Sequence, residues 1–131
     1  MDLDLRAEAA IKAAKNGDVD RAGDIVIDLI SEDWNNVEAH RAWARVLLAR
    51  GKATDAVAAI RTAASIDPNR ADLQFELAQT LIIEAEKNPF LPLANWCEAR
   101  QAVLAGMELA PNETRAIALL KRVEEHRARV V

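Results

Sequence analysis

The sequence predicts an all-α protein, a solenoid of three helical hairpins followed by one C-terminal capping helix. Three observations carry this prediction. The chain repeats itself at a spacing of 34 residues. Within each repeat, apolar residues fall three and four positions apart, the period of a helix with one buried face. Glycine and proline number only four each, few enough for a chain that is mostly helical.

The clearest unit is 37–70, VEAHRAWARVLLARGKATDAVAAIRTAASIDPNR. It reads as two short amphipathic helices with Gly51 in the turn between them and Asp67-Pro68-Asn69 as the stop. A shift of 34 residues aligns Ala10 with Ala44 and Ala78, Gly17 with Gly51, Ala13 with Leu47 and Leu81, and Val26 with Ile60. Past Lys87 the register jumps by nine residues and resumes, with Ala56 opposite Ala99, Ile60 opposite Val103 and Pro68 opposite Pro111. The units are therefore 3–36, 37–70 and 71–113, the last with an insertion near 88–96, and residues 114–131 form the cap. All 131 residues are read as one domain.

Each slot has a physical reason. Ala10, Ala44 and Ala78 sit mid-helix, where a small side chain lets the paired helix approach closely, and Ala22, Ala56 and Ala99 do the same from the partner helix. Gly17 and Gly51 follow the first helix, where a left-handed C-cap is wanted. Asp18, Thr54 and Asp55 supply polar and acidic groups to the start of the second helix. Pro68 and Pro111 end a helix or open the next. Trp34 takes that place in the first unit and is read as a packed cap on the turn. In the last helix, Ile117, Leu120 and Val123 are expected to cover the last repeat, with Arg115, Lys121, Arg122, Glu124 and Glu125 facing water.

A 34-residue helix-turn-helix unit with these small-residue slots resembles the tetratricopeptide repeat. The middle unit fits best through Trp43-Ala44, Leu47, Gly51, Ala56, Ile60, Ala63 and Asp67-Pro68-Asn69, and the likeness covers about residues 3–113. The first unit lacks the terminal proline, and the chain has no tyrosine. The resemblance implies a right-handed α-solenoid that binds peptides or helices on a concave groove lined by the first helix of each pair. It places Ile11, Arg41, Arg45, Leu48, Phe75, Gln79, Ile82 and Arg122 on that groove. Arg41 and Arg45 are one turn apart, so both guanidinium groups reach one carboxylate-bearing segment, or they pair with Glu38 and Asp72 as a solvated face. One tetratricopeptide subclass grips the C-terminal carboxylate of heat-shock chaperones with a clamp of basic and Asn side chains. The matching places here hold Ala7, Ile11, Ala42, Asp72 and Glu76, so that clamp is not expected.

Composition narrows the function classes. A net charge of -4 speaks against a nucleic-acid partner, whose footprint is a basic patch. The N-terminus has no secretory pattern and no apolar run approaches the roughly 20 residues that span a bilayer, so a cytoplasmic protein without a membrane partner is expected. The single Cys97 makes an internal disulfide impossible and is read as a small packed side chain. No catalytic or metal-ligand pattern occurs, and His40 and His126 lie apart. Neither enzyme activity nor a cofactor or metal is expected. Glu84 and Glu86 are read as solvated surface acids.

The insertion Asn88-Pro89-Phe90-Leu91-Pro92-Leu93 places apolar residues in a connecting loop. Phe90, Leu91 and Leu93 either fold back on Ile83 and Trp96 or form a second interaction patch. The function that follows is a non-catalytic scaffold or adaptor holding a protein or peptide partner with acidic and apolar side chains. Two alternatives stand beside it. One is a homo-oligomeric assembly module using the insertion or the terminal helices. The other is a small chaperone for a secreted or assembling partner.

Overall fold

The computed structural model describes residues 3–88 and 93–130, and among them the only regular structure is helical. The helices are α1 (Leu3–Lys15), α2 (Val19–Glu32), α3 (Val37–Ala49), α4 (Ala53–Ile66), α5 (Ala71–Lys87), α6 (Leu93–Leu109) and α7 (Thr114–Val130). They fall into two compact units, α1 to α4 within residues 1–67 and α5 to α7 within residues 68–131. None of the described helices is long and apolar enough to cross a membrane.

In the first unit, α1 packs against α2 and α3, and α3 packs against α4. The apolar periodicity delivers Ala7, Ala10, Ala22, Val26, Leu29, Ala39, Ala42 and Val46 to one buried cluster, with Ile25, Ile30 and Trp43 packed against it. Fully burying one of the larger aliphatic chains contributes about 1.5–3 kcal/mol. The two predicted glycine caps are in place. Gly17 and Gly51 adopt φ of 87° and 77°, the left-handed region open to glycine. The amides of Gly17 and Asp18 donate to the carbonyls of Ala14 and Ala13, and those of Gly51 and Lys52 donate to Leu48 and Leu47. This double bond pattern closes both helix ends in the same way.

The helix starts differ. Asp18 accepts from the Arg21 amide at 3.4 Å, and Asn36 accepts from the Ala39 amide at 3.1 Å. At α4 the capping position is Lys52, which makes no side-chain cap bond, and the predicted acid Asp55 sits inside the first turn. Trp34 departs from expectation. Its ring meets His40 edge-on and its carbonyl accepts a hydrogen bond from the His40 ring, yet 63% of the residue is exposed. The buried partner is His40 itself, so the turn is held by the imidazole and the indole stays outside.

In the second unit α5 packs against α6 and α7, and α6 against α7. Phe75 fills the centre, against Gly106 of α6 and under the Arg115 guanidinium of α7, which lies 5.3 Å from the ring centroid. The insertion is absorbed mainly by helix. α5 runs to Lys87, one turn past the end of α3 in the repeat register, and α6 begins about one turn earlier than α4. Asn95 donates to Glu84 at 2.9 Å across these extra turns, and Trp96 is buried beside them. Glu84 is therefore a buried, hydrogen-bonded acid, correcting its reading as solvated, while Glu86 is exposed and paired with Arg122. Phe90 and Leu91 lie outside the described residues, and Leu93 opens α6 with its side chain likewise outside them.

The covering face of α7 is rotated from the expected one. Ala116, Leu119 and Val123 are buried, whereas Ile117 is 68% exposed and Leu120 is half-buried. Positions 116, 119 and 123 follow the three-four spacing of a helical stripe, and Ile117 lies about 100° off its leading residue.

Two substitution pairs test this packing. A methyl group at Gly106 would come within 2.6 Å of the buried Phe75 ring. Gly106→Ala is expected to destabilise by about 1–3 kcal/mol despite its better helix propensity. At Gly23 the nearest atom is the flexible end of Arg50, at 3.0 Å, so Gly23→Ala is expected to stabilise by about 0.5–1 kcal/mol. In thermal denaturation the two midpoints should move in opposite directions. By the same measurement Leu119→Ala should cost about 2–4 kcal/mol and Ile117→Ala less than about 0.5 kcal/mol. The reverse order would return the cap to the face the sequence suggested.

Candidate functional site

The first helices of the two hairpins in the first unit enclose an open depression. It has a volume of about 220 Å³ and is lined by Ile11, Ala14 and Lys15 of α1 and by Arg45, Leu48 and Ala49 of α3. Each trio occupies positions i, i+3 and i+4, which share one helix face. A shift of 34 residues carries the first trio onto the second, so the depression is made from the same three repeat slots used twice. Ile11, Ala14 and Leu48 are half-buried and supply an apolar floor, while Lys15 is exposed and Arg45 half-buried.

Three of the predicted groove residues, Ile11, Arg45 and Leu48, thus come together. Arg41 is half-buried and bonds Glu38 of its own helix at 3.3 Å; it is not in the lining. Lys15 is a lining residue that the groove positions expected from the sequence do not include. Its signal is the i+4 spacing from Ile11.

The predicted groove residues of the second unit are arranged otherwise. Phe75 is 1% exposed and Ile82 fully buried, so both are core rather than partner-facing residues. The reason is local: Phe75 faces the space that Gly106 leaves on α6. Gln79 is exposed. Arg122, which stands in the slot of Arg45 in the repeat register, reaches across to Glu86 of α5 at 2.6 Å. Where the first unit keeps an opening between its first helices, the second has α5 and α7 bridged by an ion pair.

A second depression of about 250 Å³ lies between α5 and α6, lined by Gln74, Leu77, Glu98, Gln101, Ala102 and Ala105. Leu77 occupies there the slot that Trp43 takes in the middle repeat. The smaller side chain at that slot was the available signal for it. Among the described residues no group of three His, Cys, Asp or Glu side chains is placed to hold a metal ion.

Comparison with known proteins agrees with this architecture. A family profile described as tetratricopeptide repeat matches residues 37–80, α3, α4 and the start of α5. No curated protein sequence matches the chain. Among solved structures, the first tetratricopeptide domain of human RPAP3 is similar with a TM-score of 0.80 and 18% identity, over 95% of this chain and 91% of that one. The first such domain of Spaghetti (RPAP3), bound to the HSP90 peptide SRMEEVD, has a TM-score of 0.78 at 18% identity and the same coverage. The type III secretion chaperone SycD of Yersinia enterocolitica, in complex with a peptide of the translocator YopD, has a TM-score of 0.70 at 17% identity, over 98% of this chain and 91% of that one. The repeat slots, the glycine caps and the helical architecture agree with these comparisons: the chain has the fold of tetratricopeptide-repeat domains, and residues 37–80 match the profile of that repeat.

Proposed function

We propose that this chain is a non-catalytic protein-interaction scaffold that holds a peptide segment, extended or helical, between α1 and α3. The observation that carries the reading is the depression itself. Equivalent residues of two successive repeats converge there on an apolar floor that solvent reaches. Concave sites with a few polar groups around an apolar floor are where ligands bind. Two of the similar structures hold peptides, one of HSP90 and one of YopD, which supports the reading as an analogy of fold.

The HSP90 tail is not the proposed ligand. The positions that would form its clamp hold Ala7, Ile11, Ala42, Asp72 and Glu76; of these, Ala7, Ala42 and Glu76 are buried. The likeness to SycD favours one specific form of the function, a small chaperone that holds a secreted or assembling partner. Phe90, Leu91 and the Leu93 side chain, which self-association through the insertion would use, lie outside the described residues.

Selection from a phage-displayed library of random dodecapeptides tests the site. Multivalent display detects the weak contacts expected of a single depression. Clones enriched on the wild type should bind Leu48→Gln about tenfold or more weakly, the loss expected when one aliphatic contact is removed. The same clones should bind Gln79→Ala unchanged. Equal capture by wild type and Leu48→Gln, or no enrichment at all, would sink the proposal.

A further inference from the structure

We propose that Asn16-Gly17, in the turn that closes α1, is a site of self-modification, and that its conversion releases the α1 side of the depression. The loss of peptide binding that follows rests on the reading above; the modification itself does not. An asparagine carboxamide is among the thermally labile groups of a protein. It reacts with the backbone nitrogen of the residue that follows it.

The step needs only base and solvent water. The Gly17 nitrogen loses its proton and attacks Cγ of Asn16, so an N–Cγ bond forms. The Cγ–Nδ2 bond breaks, and the leaving nitrogen takes up a proton and departs as ammonia. Water then opens the five-membered imide. Cleavage of the N–Cγ bond gives aspartate, and cleavage between the nitrogen and the Asn16 main-chain carbonyl carbon gives isoaspartate. One water is consumed, one ammonia is released and one carboxyl group is gained.

Sequence and structure single out this asparagine. Of the seven in the chain, only Asn16 precedes a glycine, which puts no side chain in the way of the ring. Nothing lies within 4 Å of the point where a Gly17 side chain would begin. Asn16 is exposed, and its carboxamide makes no hydrogen bond among the described residues. By contrast, Asn36 accepts from the Ala39 amide at 3.1 Å and Asn95 donates to Glu84 at 2.9 Å. Asn88 precedes Pro89, which has no amide proton to lose. Gly51 repeats the left-handed cap with Arg50 before it, so the second hairpin has the same turn without the reactive group.

The fold sets the pace and the consequence. The Gly17 amide donates to the Ala14 carbonyl at 3.1 Å, which holds the attacking nitrogen in the cap. Reaction therefore waits on local opening at the helix end. Once isoaspartate has formed, the backbone at this point is longer by one carbon, about 1.5 Å. The Gly17 and Asp18 amides then cannot return together to Ala14 and Ala13. The new carboxylate also stands at the negative end of the α1 dipole. Ala14 and Lys15, which line the depression, belong to the turn so released.

The test holds the purified protein in warm, mildly alkaline buffer and maps its peptides by mass spectrometry against a fresh sample. The peptide containing Asn16 should gain about 1 Da and divide into two species of equal mass, ahead of any change at the other asparagines. Asn16→Gln should keep its original mass there. In the isoaspartate form, separated by chromatography, the Asp18 amide should lose at least about tenfold of its protection from hydrogen exchange. The Lys52 amide, its equivalent in the second hairpin, should keep its own. Phage clones enriched on fresh protein should bind the isoaspartate form about tenfold or more weakly, as expected for a lost apolar contact. No conversion at Asn16, or earlier conversion elsewhere, would overturn the proposal and leave the peptide reading untouched. Isoaspartate at residue 16 with the Asp18 amide still protected, or with clone binding unchanged, would overturn the release of the depression. Failure of any clone to enrich on fresh protein would remove the peptide reading and the loss of binding with it, while mass and exchange still decide the modification.

Discussion

The fold depends on how closely two helices of a hairpin can lie. Ala10 and Ala22, Ala44 and Ala56, and Ala78 and Ala99 are all buried, in three hairpins that share one register. Helices that meet through alanine can approach at the near end of the usual 8–10 Å range. A larger side chain at such a slot would force the pair apart, since interiors packed to crystal density have no slack. Alanine buries little area itself, so the favourable energy comes from the aliphatic residues that the close approach brings together, Val26, Leu29 and Val46 in one unit and Leu73, Leu81 and Val103 in the other. Gly106 takes the same logic to its limit, giving up even the methyl group so that the Phe75 ring can pack directly against α6.

Much of the architecture was legible because it is written in backbone chemistry and in periodicity. The glycines at Gly17 and Gly51 sit where only a left-handed residue closes the helix without strain, and both are found with positive φ. The proline turns at Pro68 and Pro111 fall between helices. What escaped was decided by tertiary neighbours. At α7, periodicity shows that an apolar stripe exists but does not choose between Ala116–Leu119–Val123 and Ile117–Leu120–Val123, which differ by one residue of rotation. At Trp34, size and apolarity suggested burial, but the site below it is filled by His40, whose ring finds both an edge contact and a carbonyl acceptor there. At Glu84, a charge read as solvated is buried because Asn95, eleven residues on, satisfies it across two lengthened helices.

The candidate site shows the same division. Ile11, Arg45 and Leu48 could be placed on one face from the repeat register alone, since equivalent slots of successive first helices point the same way. Phe75 and Ile82 came from the same rule and failed. Register assigns a direction to a side chain, and the neighbours of that particular repeat decide whether anything stands in front of it. In the second unit the slots are closed by large apolar packing and by the Arg122–Glu86 pair. Repetition in sequence is thus a guide to geometry and a poorer guide to accessibility.

The size of the depression between α1 and α3 also bears on how long any occupant stays. One aliphatic side chain buried there contributes about 1.5–3 kcal/mol, and an exposed charge contact adds up to about 1 kcal/mol. About 4 kcal/mol corresponds to a dissociation constant near 1 mM. At an association rate of about 10⁶ M⁻¹s⁻¹, such a complex would dissociate within about a millisecond. A tenure of seconds would have to come from a second point of attachment on the same partner, because a tethered second contact multiplies lifetime without strengthening the first. A partner held in this way would be released and recaptured many times during one encounter, and the number of short segments it presents would set how long the encounter lasts.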